Sequence, residues 1–306
     1  LCMGHDPAAR LLAKAPSYSS ELAFAMYILQ LPVLTAVTYW QGKIYHMAQM
    51  LGYLVCLALV AAVSNSGALG FLGGGYLTPE QIDLEICKVK ELTDRPFGVN
   101  LFIPDSNIKA SINPKVFNRI EEFSLELGIE SPDLPGSSPK YSFEDQLAVI
   151  VDNKVFAFSF TFGIPDKALI KDLLERDIIV IGTATCVEEG LLLENAGCSA
   201  VVAQGSEAGG HRGTFGLTDG TPLIGGLALV PQLADKVEIP VIASGGIMDG
   251  RGIAASLALG ASAVQMGTAF LSCKEARVPK PWLDSLLTSK DVSTVLTKAF
   301  SGKYAR

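Results

Sequence analysis

Val201-Val-Ala-Gln-Gly-Ser-Glu-Ala-Gly-Gly-His-Arg-Gly213 and Ile239-Pro-Val-Ile-Ala-Ser-Gly-Gly-Ile-Met-Asp-Gly-Arg-Gly252 follow one pattern: an apolar, β-branched run that ends abruptly in glycine. Ala263-Val-Gln-Met-Gly-Thr-Ala-Phe270 repeats it a third time. Short apolar runs without polar alternation are strands covered on both faces, as in parallel sheets. Helix-sized stretches at 226–236 and 251–259 separate them, which is the crossover length that parallel pairing requires.

Working outward, the alternation extends toward the N-terminus. Strand candidates lie at 68–72, 97–103, 155–160, 178–182 and 200–203, besides 241–243 and 263–266. Helices are predicted at 78–92, 114–127, 142–152, 166–176 and 187–196, and Pro-rich 131–140 is a loop. Thr78-Pro-Glu-Gln81 places a cap at Thr78 and proline at the first helical position. Such alternation is the α/β class. Seven strands with one earlier fit an eight-stranded (β/α)8 TIM barrel, while a doubly wound open sheet is the alternative that local patterns leave open. The start fits poorly: Ser20–Thr38 is apolar and helix-like, and no strand-turn-helix unit precedes Tyr45. The expected organisation is an atypical N-terminal segment, 1–45, with an atypical first strand, followed by one barrel domain, 46–306.

Composition narrows the function classes. The 306 residues are 49% hydrophobic, enough for a large core, and carry a formal charge of -7. That balance, with no run of like charges, argues against nucleic acid or an acidic membrane surface as partner. Six scattered cysteines without a Cys-x-x-Cys pair suggest neither a zinc site nor a disulfide framework, and reduced thiols point to a cytoplasmic protein. Met47–Val63 is uncharged, close to the length of a membrane span. Gln49 and Gly52 interrupt it and Ser64-Asn65-Ser66-Gly67 stops it, so the expectation is a buried helix and no membrane. The first 16 residues hold Asp6, Arg10 and Lys14, unlike a signal peptide.

The candidate chemistry sits where strands end. In a barrel, the loop 204–213 lies at the C-terminal rim, where reacting groups gather. Gly209 and Gly210 let backbone approach a ring or phosphate, and Gln204 adds an amide. His211 is the group of this loop that titrates near neutrality, suited to act as base or as charge partner of an anion. Gly245-Gly246 and the segment Gln265-Met266-Gly267-Thr268 follow the last two strands. Barrels frequently bind a phosphate there, so a phosphate-bearing cofactor is expected. Asn100, within an otherwise apolar strand, either satisfies backbone or meets a ligand. No P-loop, G-x-S-x-G elbow or paired histidine ligands occur, and no metal is expected.

From about Leu59 to Arg306 these motifs resemble the nitronate monooxygenases, formerly 2-nitropropane dioxygenases. The likeness rests on Leu59-Val-Ala-Ala-Val-Ser-Asn-Ser-Gly-Ala-Leu-Gly70, Arg95-Pro-Phe-Gly-Val-Asn-Leu101, Ser159-Phe-Thr-Phe-Gly-Ile-Pro165, Ala203–His211, Ala243-Ser-Gly-Gly246, Gln265–Thr268 and Ala299-Phe-Ser-Gly-Lys303. It implies a barrel that binds FMN non-covalently and oxidises alkyl nitronates, and in some members nitroalkanes, with O2 to a carbonyl compound and nitrite. The resemblance makes His211 the catalytic residue, facing the nitro group and able to remove an α-proton. It makes Asn100, Gln204, Gly209 and Gly210 flavin contacts, with Gly245, Gly246, Gln265, Met266, Gly267 and Thr268 on the phosphate side. Where the family has a Gln-x-Pro-Met or Gln-Gly-Gly-Met turn, this chain has Ala48-Gln-Met-Leu-Gly52, so Gln49 and Met50 are a loose match to further flavin contacts.

Flavin-dependent enoyl-[acyl carrier protein] reductases share Glu-x-Gly-Gly-His but typically have glutamate at the Gln204 position, so Gln204 favours the oxidase. A flavin-less scaffold is the non-catalytic alternative. The sequence leaves open which nitronate is used and whether identical subunits assemble.

Overall fold

The computed structural model describes residues 57–104, 118, 122, 141–216, 222–276, 278–298 and 301–306. The segment 1–45, the expected first strand, Gln49 and Met50 lie outside the described residues, as does the helix expected at 114–127 apart from residues 118 and 122, both helical.

Among the described residues seven strands, β1 (Gly70–Gly73), β2 (Phe97–Phe102), β3 (Ala157–Thr161), β4 (Ile179–Ala184), β5 (Ala200–Gln204), β6 (Val241–Ser244) and β7 (Ala263–Gln265), form one parallel sheet. Their spatial order is their order in sequence. That order excludes the doubly wound sheet, which needs a switch point where the order reverses. Successive crossovers of one hand put the helices that link consecutive strands on the same side of the sheet, and a twisted sheet covered on one side curls around its bare face. The fold is therefore of TIM-barrel type.

The described helices include α1 (Pro79–Leu92), α2 (Phe143–Asp152), α3 (Lys167–Glu175), α4 (Val187–Ala196), α5 (Gly226–Ala234), α6 (Gly250–Ala258) and α7 (Lys280–Thr288). Thr78 caps α1 as predicted: its hydroxyl accepts from the Gln81 N–H while the Gln81 side chain accepts from the Thr78 N–H. Ser142 and Asp145 form the same reciprocal box on α2. Each such cap stabilises its helix start by about 1 kcal/mol. Helix α7 was not foreseen, and none of its residues is buried. Residues 57–65 are helical, with Leu57, Val60 and Val63 in the core, so the described end of the uncharged run is a packed helix. Among the described residues no helix is long and apolar enough to cross a membrane.

Two apolar cores sit on the two faces of the sheet. Between sheet and helices lie Val99, Leu101, Phe158, Phe160, Val180, Val201, Ala203, Val241, Ala243 and Val264, with helix residues such as Ile86, Ile150 and Leu193. Inside the curl lie Phe71, Ala157, Ile181, Ala200, Val202 and Ile242. Strand side chains alternate with period 2. Two residues beyond Ala157, Val202, Ile242 and Ala263, the inward positions are therefore Ser159, Gln204, Ser244 and Gln265. The inner core is apolar at its base and polar at its C-terminal mouth.

Candidate active site

That mouth is where the expected site residues converge. Asn100 and Ser159 are register partners on β2 and β3, and Gln204, Ser244 and Gln265 are register partners across β5, β6 and β7. Asn100 is 1% exposed; its Nδ2 donates to Ser159 Oγ at 2.9 Å, and its Oδ1 has no partner. Gln265 Oε1 is likewise buried without a partner. A buried amide oxygen left without a donor costs about 1–3 kcal/mol. Two of them aimed into one mouth mark sockets for a ligand that carries N–H or O–H groups.

The His211 loop is braced from within. Gln204 Nε2 donates to the His211 carbonyl at 3.0 Å, and its Oε1 accepts from the Gly213 N–H at 2.8 Å. Both ends of this amide are thus committed to the chain, so its visible work is to close the loop. Arg212, 2% exposed, lies under the loop and donates to the carbonyls of Gln204, Gly205 and Pro222 at 3.1, 2.6 and 3.0 Å. Both carboxylate oxygens of Glu207 accept from the N–H of Gly226, the first residue of α5, at 3.0 and 3.1 Å. Glu207 therefore fastens the loop to a helix N-terminus, a favourable place for negative charge.

The glycine turns meet. Gly205 N–H donates to the Ser244 carbonyl at 2.8 Å, tying the end of β5 to the end of β6. Gly245 has φ +106° and Gly246 φ +70°, conformations that side chains rarely adopt. A Cβ on Gly245 would meet Ala208 N at 2.9 Å and Gly205 O at 3.1 Å, and one on Gly209 would meet Thr268 Oγ1 at 2.9 Å. The loops after β5, β6 and β7 are therefore in contact. Two of the expected residues have other duties: Met266 packs in the outer core, and the Gly210 N–H is committed to the Arg306 carbonyl at 2.9 Å.

His211 is 8% exposed at this junction. Its ring stands edge-on to Phe162 (centroids 5.6 Å apart) and Phe102 (6.3 Å). Phe162 reaches it from a backbone with φ +78°, a conformation costing a bulky residue about 1–3 kcal/mol. Lys303 Nζ lies 4.8 Å from the Phe162 centroid, and Ser301 Oγ lies 2.6 Å from His211 Nε2. Burial, and secondarily the charge of Lys303, hold the imidazole below the usual histidine range. At neutral pH the ring is uncharged and ready to accept a proton.

Ser301 and Lys303 belong to a segment that sequence reasoning quoted without giving it a role. Residues 297, 298 and 301–306 lie against the rim: Gly210 and Arg306 exchange two backbone hydrogen bonds, the Arg212 N–H donates to the Tyr304 carbonyl at 2.8 Å, and Thr297 pairs with Ala305. Phe102 and Phe162 were also missed; glycine following an aromatic at the end of a strand, as in Phe162-Gly163, was the available signal. Among the described residues no cluster of metal-ligating side chains occurs.

A model of the nitronate monooxygenase family matches residues 41–306. The chain belongs to the nitronate monooxygenase family. A probable nitronate monooxygenase of Staphylococcus saprophyticus is 46% identical over 251 residues, covering 81% of this chain and 70% of that protein. A Staphylococcus aureus relative with the same description is 46% identical over 250 residues, with the same coverage. Among solved structures, nitroalkane oxidase from Streptomyces ansochromogenes superposes with a TM-score of 0.73 at 40% identity, covering 81% of this chain and 72% of that one. FabK from Thermotoga maritima gives 0.63 at 32%, covering 81% and 66%. Family membership makes the protein an oxidoreductase, and it agrees with the expectation drawn from the loop 203–211.

Proposed function

We propose that the protein oxidises alkyl nitronates with O2 by means of FMN, giving a carbonyl compound and nitrite, and that it accepts neutral nitroalkanes once an α-proton is removed. The observation that carries this reading is a buried His211 set between two aromatic rings at a mouth where three glycine-ended loops meet. The residues fit the cofactor on physical grounds. The unpartnered Asn100 Oδ1 and Gln265 Oε1 suit the N–H and O–H groups of a flavin mononucleotide. Gly245, Gly246, Gly209, Gly267 and Thr268 suit its phosphate side, since backbone amides and a hydroxyl donate to an anion without side-chain obstruction. FMN would supply electron transfer and reactivity with oxygen.

The chain supplies placement and charge. The Phe102 and Phe162 rings offer an apolar wall for an alkyl substituent and keep water from the imidazole. A neutral His211 accepts the α-proton of a nitroalkane; once protonated, the same ring pairs with the nitronate. Residues 46–306 form the cofactor-binding unit, in a cytoplasmic enzyme whose substrates are small molecules.

The reductase alternative has the FabK likeness in its favour, and an amide at position 204 rather than a carboxylate against it. Purified protein given FMN should show flavin absorbance and release nitrite from a preformed alkyl nitronate in air. NADH consumption without nitrite release would replace this reading with the reductase, and a protein that stays colourless would end both.

A further inference from the structure

We propose that Ser301 is a positioning residue for His211: its hydroxyl, held 2.6 Å from Nε2 by the pairing of Tyr304 and Arg306 with the His211 loop, fixes the ring and accepts from it when the imidazole is charged. His211 is presented on a loop, and a loop by itself leaves an imidazole two rotatable bonds. The structure removes that freedom from several sides. The backbone of residue 211 sits between the Gly210–Arg306 and Arg212–Tyr304 pairings and is braced again by Gln204. Phe102 and Phe162 bound the ring from β2 and from the turn after β3. Ser301 Oγ is hydrogen-bonded to a ring nitrogen, and the segment that delivers it is held by the pairing of Thr297 with Ala305.

The direction of the bond decides what it does. Beside a neutral ring either partner can donate, but only the tautomer whose Nε2–H donates to Ser301 Oγ keeps an Nδ1 lone pair to take the α-proton. After His211 has taken a proton both ring nitrogens donate, so Ser301 Oγ must accept from Nε2–H. Charge-assisted hydrogen bonds are about twice as strong as neutral ones. Ser301 therefore favours the protonated ring that forms as the α-proton leaves, and it opposes burial and Lys303, which favour the neutral ring. The charge of Lys303 acts on this imidazole, and the faces toward β2 and the turn after β3 are aromatic. The two effects together leave a ring that is neutral at rest yet willing to hold a proton in the transition state. Ser301 is itself on the surface, so its replacement leaves the core intact.

The proposal rests on the reading above for its kinetic consequence but not for its primary test, which is the titration of the ring. The chain has three histidines, His5, His46 and His211, so histidine-labelled protein loaded with FMN gives three imidazole signals, and His211→Gln identifies the relevant one. Ser301→Ala should lower the midpoint of that signal by about half a unit to one unit, and Ser301→Thr, which keeps the hydroxyl, should restore it. Turnover of a neutral nitroalkane should fall about tenfold in Ser301→Ala, with KM within about threefold and the acid limb of the pH profile displaced downward equally. An unchanged midpoint overturns the proposal, whatever happens to activity. A lowered midpoint in a protein that releases no nitrite from any nitro compound supports the Ser301 role and counts against the nitronate reading instead.

Discussion

Gly245→Ala tests whether the turn after β6 is a cradle or only a bend. The residue has φ +106°, and adopting it costs an L-amino acid about 1–3 kcal/mol. The new methyl would also lie 2.9 Å from Ala208 N and 3.1 Å from Gly205 O. Both neighbours are backbone atoms, and Gly205 is tied to Ser244 by a 2.8 Å hydrogen bond, so neither can swing aside as a side chain would. Overpacking of this kind costs about 1–3 kcal/mol more. The turn should relieve the clash by moving. If about 2 kcal/mol of that displacement falls on phosphate-side contacts, FMN binding weakens by about 30-fold. Flavin fluorescence quenching measures the affinity, and a thermal melt of the apoprotein measures how much of the cost falls on the fold. Gly250→Ala is the control, because a Cβ there meets nothing within 4 Å. A Gly245→Ala protein that binds FMN as tightly as the unaltered chain would refute the reasoning.

Three further outcomes are expected. His211→Asn should keep flavin absorbance while nitrite release from neutral nitroalkanes falls by about 10²–10⁴-fold, with a smaller loss on preformed nitronates, and full turnover would remove the base from His211. Arg212→Leu strips donors from three carbonyls, of which that of Gly205 is buried; at about 1–3 kcal/mol for the buried one it should lower Tm by roughly 2–12 °C in a melt, and an unchanged Tm would contradict the bracing role. Glu85, 5% exposed on α1, is pushed up to about 8 by burial, with Lys88 pulling weakly the other way. Its folded value exceeds the usual carboxylate value, so the associated stability is complete below pH 4.5 and lost as pH rises through about 8. Glu85→Gln should therefore raise Tm by roughly 3 °C or more at pH 9 and by less at pH 5; equal shifts at both would refute the burial argument.

Much of the architecture was legible because its signals are local. All seven strand candidates correspond to observed strands, from Gly70–Gly73 to Ala263–Gln265, and Thr78 caps α1 with Gln81 as read from four residues. Apolar runs, helix-length gaps and cap residues each involve neighbours in sequence, so propensity and periodicity suffice to find them. The convergence of Gly245-Gly246 with the 205–210 loop was also expected, because glycines after consecutive parallel strands fall at one end of the sheet. Helix α7 escaped because it buries none of its residues, and a helix without a buried stripe leaves little periodic trace.

The sequence by itself determined the class of fold, the end of the sheet that carries the site, and His211 as the titratable group within it. Tertiary structure decided what surrounds that group. Only the folded chain shows that Gln204 clamps its own loop, that Arg212 lies under it, and that Asn100 Oδ1 and Gln265 Oε1 lack donors. Only the fold carries Ser301 across 90 residues to His211 and brings up Phe102 from β2 and Phe162 from the turn after β3. The reason is physical: secondary structure follows from interactions a few residues long, whereas the protonation and orientation of one imidazole depend on burial and on partners that chain topology, not sequence spacing, brings within hydrogen-bonding distance.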